Sequence, residues 1–276
     1  MQFYKYQGTG NDFVMIDQRD QQYLTRADVA TVRQLCDRRF GIGADGLILL
    51  QNHPDYDFEM VYFNSDGNES SMCGNGGRCL VAFANFLDVP AKDRRYLEDT
   101  SYLKTYTFLA IDGAHEATIN TAGNWVELKM TDVSQVECGN DFYYLNTGSP
   151  HYVRFVDDLK NVNVVADGRA VRYNNRFAAV GTNVNFVEQT AHGISVLTYE
   201  RGVEDETLSC GTGVTAAAIA HYLQQEKQVA TEVPIRVKGG ELSVRFAPQG
   251  EGFVDIWLCG PAERVFSGEV DIQCKI

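Results

Sequence analysis

Cys73 and Cys210 each open a Cys-Gly-x-Gly segment, Cys73-Gly74-Asn75-Gly76 and Cys210-Gly211-Thr212-Gly213. The flanking residues repeat too. Tyr62 and Glu69 precede Cys73 as Tyr199 and Glu206 precede Cys210, and both the tyrosines and the cysteines lie 137 residues apart. A thiol has an ordinary pKa of about 8.5, which falls to roughly 3.5–7.5 at a helix N-terminus or beside a cation. The helix macrodipole places about half a positive charge there, and the first backbone N–H groups have no intrahelical partner. Each segment therefore supplies a base and a set of amide donors in one place. Two such thiols on opposite sides of one α-carbon would remove a proton from one face and return one to the other. Amides from both helix ends would hold the adjacent carboxylate and stabilise the negative charge that develops beside it. The expected reaction is inversion at an α-carbon with no cofactor and no metal. The two thiols exchange roles with direction and titrate as a coupled pair.

The elements that must position these thiols are legible around them. Gly76–Leu87 and Gly213–Gln224 carry apolar residues at helical spacing, Leu80, Phe83, Ala84 and Leu87 in one, Val214, Ala217, Ala218 and Tyr222 in the other. Both are apolar over much of their surface, the pattern of a helix buried nearly all round. Runs rich in Val, Ile, Tyr and Phe read as strands through the rest of the chain, and Gly239-Gly240 marks a hairpin. A third helix is expected over Arg26–Arg38, with Thr25 as its N-cap. Thr9-Gly10-Asn11-Asp12-Phe13-Val14 is echoed by the segment from Thr147 to Val153, at an offset of 138 residues. The repeat predicts a mixed α/β (α+β) chain of two pseudo-symmetric domains. Each is a mixed sheet or barrel wrapped around a central helix, with the active site in the cleft between them. The first domain is expected over 1–114, with 262–276 returning to it, and the second over 115–261.

Composition narrows the function classes. A net charge of −13 argues against a nucleic-acid partner. The N-terminus lacks a signal-peptide pattern and no apolar run is long enough to span a bilayer, so a cytoplasmic protein is expected. The seven cysteines form no C-x-x-C pair and no disulfide framework, which disfavours a structural zinc. Cys36, Cys138, Cys259 and Cys274 read as small buried hydrophobes. A redox pairing of Cys73 with Cys79 is disfavoured, because Cys79 lies more than a turn along the helix and reads as core. Gly41-Ile42-Gly43-Ala44-Asp45-Gly46 fits the dinucleotide fingerprint in letters only, since a helix precedes it and a strand follows.

Further polar residues fall where a substrate would need them. Asn11, Asn64, Asn183 and Asn185 lie in strand-end or turn segments, His151 follows a Gly-Ser-Pro turn, and Glu200-Arg201 closes a strand. An arginine there suits a second carboxylate, a glutamate an ammonium group, and a histidine the assistance of a thiol. Asn64-Ser65-Asp66-Gly67 with Met72-Cys73-Gly74-Asn75-Gly76-Gly77-Arg78-Cys79 resembles the signature of diaminopimelate epimerases. Gly8-Thr9-Gly10-Asn11-Asp12-Phe13 resembles that family's opening segment. Tyr199-Glu200-Arg201-Gly202 with Glu206-Thr207-Leu208-Ser209-Cys210-Gly211-Thr212-Gly213 resembles its second catalytic segment.

The resemblance implies interconversion of LL- and meso-2,6-diaminoheptanedioate, for lysine and peptidoglycan precursors, by a cofactor-independent homodimer. It implies Cys73 and Cys210 as the acid/base pair, with His151 and Glu200 as helpers. Gly74, Asn75, Gly211 and Thr212 would hold the reacting carboxylate. Asn11, Asn64, Asn183 and Arg201 would hold the distal amino-acid end. Asn68 and Ser149 depart from the family's usual Ser and Asn, and Gly46 stands where some members carry a Gln. A racemase of proline or hydroxyproline would also pair two cysteines but would not need a distal clamp. A non-catalytic binding module would survive loss of Cys73.

Overall fold

The computed structural model describes residues 1–91, 93–96, 102–122, 124–225 and 231–271. Its contacts divide the chain into two units, Met1–Leu128 with Pro261–Ile276, and Lys129–Gly260.

The first unit begins with a hairpin of β1 (Gln2–Gly8) and β2 (Asn11–Asp17). Thr9 and Gly10 both take positive φ at its tip, the tight turn that matches the twist of the paired strands. β2 pairs in parallel with β3 (Gly46–Gln51), which is antiparallel to β4 (Phe58–Asn64). The connection from β2 to β3 carries α1 (Val29–Cys36), and α2 (Gly74–Phe86) follows β4. β5 (Asp93–Tyr96) and β4 both pair with β6 (Tyr102–Ala110). A meander continues through β7 (Gly113–Asn120) and β8 (Trp125–Lys129). The unit therefore runs beyond residue 114, because β7 is the hairpin partner of β6.

The second unit repeats this plan. β9 (Glu137–Cys138), β10 (Tyr143–Asn146) and β11 (Pro150–Phe155) are antiparallel, with Gly148 at positive φ between the last two. α3 (Val164–Arg172) leads to β12 (Asn183–Thr190), which is parallel to β11 and antiparallel to β13 (Gly193–Glu200). β14 (Asp205–Thr207) and α4 (Gly211–Gln224) follow. β15 (Glu232–Val237) lies parallel to β13 and continues into β16 (Gly240–Gln249) and β17 (Gly252–Pro261). β18 (Glu263–Glu269) belongs to the first unit again and pairs antiparallel with β1.

In each unit the central helix packs on the sheet. α2 lies against β1, β2, β3, β7 and β18, and α4 against β10, β11, β12, β13, β15 and β16. Every residue of Gly74–Ala84 and of Gly213–Tyr222 is buried. The small residues of α4, Ala216, Ala217, Ala218 and Ala220, let strands approach on all sides. A larger residue there overpacks the core, at about 1–3 kcal/mol. β3 is buried on both faces, with α1 on one side of the sheet and α2 on the other, which is why it reads as an unbroken apolar run.

Three local expectations are corrected. α1 is shorter than Arg26–Arg38, and its N-cap is Asp28. Thr25 does not cap it: its backbone N–H and hydroxyl both donate to the Asp28 carboxylate at 2.7 Å. Cys138 is exposed in the short β9, while Cys36 and Cys259 are buried. Its sequence neighbours Glu137, Gly139 and Asn140 are exposed as well, so this stretch is not packed into a core. Cys274 lies outside the described residues. Among those residues, no helix is long and apolar enough to cross a membrane.

Candidate active site

Cys73 is the N-cap of α2 and Cys210 the N-cap of α4, both with extended backbone. The first intrahelical bonds run from Gly77 N to Cys73 O and from Val214 N to Cys210 O. The amides of Gly74, Asn75 and Gly76, and of Gly211, Thr212 and Gly213, precede those bonds and lie at the positive end of each helix. Cys73 is partly exposed and Cys210 is buried. Cys79, more than a turn into α2, is fully buried, and burial pushes its thiol up to about 12, which leaves it inert.

In the first unit the structure brings Asn11, Cys73 and Asn75 together. Asn11 Nδ2 donates to Asp45 Oδ2 at 2.7 Å, so its Oδ1 points the other way. That oxygen lies 3.6 Å from Cys73 Sγ and accepts from Asn75 Nδ2 at 3.3 Å. Asn75 Oδ1 in turn accepts from the buried Arg78, whose Nη2 also reaches Thr9 Oγ1. Asp45 is held by Arg38 at 2.8 Å, and Arg38 and Lys5 each grip Asp12 at 2.7 Å. Lys5 also donates to the Gly43 carbonyl. Burial alone would raise the Asp12 pKa, but the hydrogen bonds from Arg38 and Lys5 overcome it and hold the carboxyl well below the usual range. Nothing in the sequence points to this ionic base under Asn11. The Asp-Phe after Asn11 and the Arg38-to-Asp45 segment give no periodic signal that would join them.

Asn64 sits at the end of β4, exposed, where its N–H donates to the Asn68 carbonyl. Asn68 is tied to the Asp66 carboxylate through both its backbone and side-chain nitrogens. Gly46 is required by packing, since a Cβ there would lie 2.6 Å from the Phe63 carbonyl oxygen and from the Tyr62 ring. No longer side chain fits at this position unless both the Tyr62 ring and the β4 backbone at Phe63 move.

In the second unit His151, Asn183, Arg201, Cys210 and Thr212 form one connected group. Asn183 Nδ2 donates to Ser149 Oγ at 2.9 Å and to the Pro150 carbonyl at 3.0 Å, and its Oδ1 accepts the Arg201 backbone N–H at 2.9 Å. Ser149 thus holds Asn183 in place. Arg201 Nη1 donates to the Val180 carbonyl at 3.1 Å. Glu200, half-buried, ends β13 opposite Asp205 of β14. Thr212 links to three neighbours: its carbonyl accepts from Thr147 at 2.8 Å, and its Oγ1 lies 2.8 Å from His151 Nε2 and 3.6 Å from Cys210 Sγ.

His151 is fully buried beneath this group. Asn185 Nδ2 lies 3.0 Å from the Tyr152 carbonyl and 3.1 Å from His151 Nδ1, and its Oδ1 accepts from Thr198 Oγ1 at 3.0 Å. Thr198 is the member of this chain that the sequence did not suggest, because a threonine in a strand is ordinary. Gly213 is needed here, since a Cβ would come 2.5 Å from Asn185 Oδ1 and 3.4 Å from Cys210 Sγ.

Burial, reinforced by the Arg201 charge, pushes the His151 pKa down to about 3. The native ring is therefore neutral, whereas the unfolded chain takes up a proton near 6.5. The stability this contributes is present above that value and is lost as pH falls toward about 3. Urea midpoints measured at about pH 7 and about pH 4 should fall further for wild type than for His151→Gln. Equal losses in the two proteins would show that the histidine does not report on acid unfolding.

Among the described residues no group of three or more His, Cys, Asp or Glu side chains is placed to hold a metal ion. The family described as diaminopimelate epimerase matches residues 3–139 and 143–265. A diaminopimelate epimerase of Flavobacterium psychrophilum is 52% identical over 96% of this chain and 98% of its own length. The fold is shared with a phenazine biosynthesis protein of the PhzF family from Bacillus anthracis, at a TM-score of 0.73, 14% identity and 99% of both chains. It is shared too with a probable proline racemase from Agrobacterium radiobacter, at a TM-score of 0.66, 15% identity, 99% of this chain and 93% of that one. With a cysteine capping the buried helix of each repeated unit and the family matched along nearly its whole length, this chain belongs to the diaminopimelate epimerase family.

Proposed function

We propose that this chain epimerises diaminopimelate at one α-carbon by two-base proton transfer between Cys73 and Cys210. The observation that carries the reading is the cysteine N-cap, which occurs in both units on a helix whose first amides suit a carboxylate. One sulfur takes the α-proton while the other delivers a proton to the opposite face, so charge and proton count are conserved across the step. The amides of Gly74, Asn75, Gly211 and Thr212 hold the reacting carboxylate and stabilise the negative charge that grows on it. His151 and Glu200 support the thiols. Asn11, Asn64, Asn183 and Arg201 hold the distal amino-acid end. A site that pairs a second charged end loses much when that end is missing, which disfavours shorter amino acids. The reaction as drawn uses only these side chains and amides and calls for no cofactor. We also propose a homodimer, on the family resemblance; sedimentation of the purified protein checks it.

The test is solvent deuterium incorporation. LL-diaminopimelate incubated with the protein in D₂O should gain deuterium at one α-position as the meso form appears, and proline should gain none. Exchange into proline but not into diaminopimelate would replace this reading with that of a racemase.

A further inference from the structure

Glu204, in the turn between β13 and β14, takes positive φ at 59°, a left-handed backbone that is strained for a residue with a Cβ. The internal repeat shows what the position ordinarily takes. At the 137-residue offset of the repeat Glu204 corresponds to Gly67, which lies in the same region at φ 88°. The first unit makes this turn with a glycine, and the second makes it with a glutamate. A strained residue of this kind persists where its surroundings hold it.

Four groups hold the Glu204 side chain. The hydroxyls of Tyr199 and Tyr173 each donate to Oε2 at 2.9 Å. The Gly202 N–H donates to Oε1 at 3.2 Å, and Arg172 Nε lies 3.5 Å from the same oxygen. The Glu204 N–H donates to the Glu200 carbonyl at 2.8 Å. Tyr199 is fully buried against α3, where a Cβ on Gly168 would lie 2.4 Å from Tyr199 Cβ. Arg172 is the last residue of α3 and Tyr173 its C-cap, with the Arg172 guanidinium 4.7 Å from the centre of the Tyr173 ring. One carboxylate thus ties the turn after β13 to the end of α3. Burial alone would raise the Glu204 pKa, but the Gly202 N–H and the two tyrosine hydroxyls outweigh it and hold the carboxyl below its usual range.

That turn carries Arg201. Glu204 bonds to groups on residues 199, 200 and 202, and so brackets the arginine on both sides. Glu200 has a further hold, since it pairs with Asp205 in the sheet, whereas Arg201 lies just past the strand. Arg201 and Arg172 also pass the same glycine: a Cβ on Gly181 would lie 2.7 Å from Arg201 Cδ and 2.8 Å from Arg172 Cζ. Two cations that close repel, and Glu204 gives Arg172 a counter-charge that keeps it on the turn. We propose that Glu204 is a positioning residue for the distal end of the substrate, its carboxylate clamping the 199–204 turn to α3 so that the Arg201 guanidinium is set for a carboxylate. This rests on the reading above in which Arg201 holds the distal amino-acid end.

The experiment is steady-state epimerisation of LL-diaminopimelate by the full-length wild type, Glu204→Gly, Arg201→Met and the double variant. Glycine suits positive φ, so Glu204→Gly keeps the backbone of the turn and removes the clamp. It should raise KM by about tenfold and leave kcat within about threefold of wild type, as a misplaced group of the distal site would. In the Arg201→Met background it should change kcat/KM by less than about twofold, because the group it positions is gone. Tyr173→Phe, which removes one hydroxyl from an exposed ring, should raise KM by about two- to fivefold. A wild-type KM in Glu204→Gly overturns the proposal, as do losses that multiply in the double variant. If Glu204→Gly does not fold, a wild-type KM in Tyr173→Phe overturns it. A KM and kcat that Arg201→Met leaves unmoved end the distal-clamp reading and this proposal together. A raised KM in Arg201→Met beside an unmoved KM in Glu204→Gly ends this proposal alone.

Discussion

Cys73→Ser and Cys210→Ser should each lose epimerisation of diaminopimelate by about 10²–10⁴-fold, the range that a positioned acid or base contributes. A serine hydroxyl occupies the same place and keeps the helix cap, but its oxygen stays protonated where a thiol at a helix N-terminus ionises. Inversion needs a base on one face and an acid on the other, so loss of either group stops the reaction, and the double variant should be scarcely worse than the single ones. The two single variants need not behave alike in partial reactions. Chiral chromatography gives inversion and mass spectrometry gives exchange. A single variant that still inverts within tenfold of wild type would remove the thiol pair from the mechanism.

Arg201→Met should lower kcat/KM for diaminopimelate by about 10²–10³-fold. That is the loss of two charge-assisted hydrogen bonds worth about 1.5–3 kcal/mol each, discounted for the water that replaces them. The arginine is well placed to be specific. Its backbone N–H is fixed by Asn183, its Nη1 is anchored on the Val180 carbonyl, and Gly181 lets its stem pass, since a Cβ there would lie 2.7 Å from Arg201 Cδ. One edge of the guanidinium is thereby committed to the protein and pre-orders the rest. Because the distal end is held alike before and during proton transfer, most of the loss should appear in KM. Arg201→Lys should recover little, because an ammonium cannot present the planar pair of donors. If KM and kcat both stay at wild-type values in Arg201→Met, the distal end is bound elsewhere.

The place of the two cysteines was legible in the sequence because its determinants are local. A cysteine before Gly-x-Gly and an apolar run fixes a thiol at a helix N-terminus, and the repeat of that segment makes two. The all-round apolar character of Gly213–Gln224 likewise announces a buried helix, and α4 is one. Helix ends that depend on competing side chains were not legible. Thr25 and Asp28 are both good caps by type, and only their mutual hydrogen bonds decide between them. The exposure of Cys138 follows from the shortness of β9, which composition does not reveal.

The sequence by itself determined that two cysteines stand at two helix ends and the family to which the chain belongs. The tertiary structure alone decided how each thiol is met. His151 and Thr212 are 61 residues apart, and Asn11 and Cys73 are 62 apart, and in each case the sheet brings them within hydrogen-bond reach. The orientation of the Asn185 amide against His151 depends on the carbonyl of Tyr152 and the hydroxyl of Thr198, neither of which stands out in sequence from other strand residues. Spacing along the chain encodes periodicity, and so elements. The direction of a hydrogen bond depends on which donors and acceptors share a neighbourhood, and that is settled only when strands far apart in sequence pair and a helix packs on them.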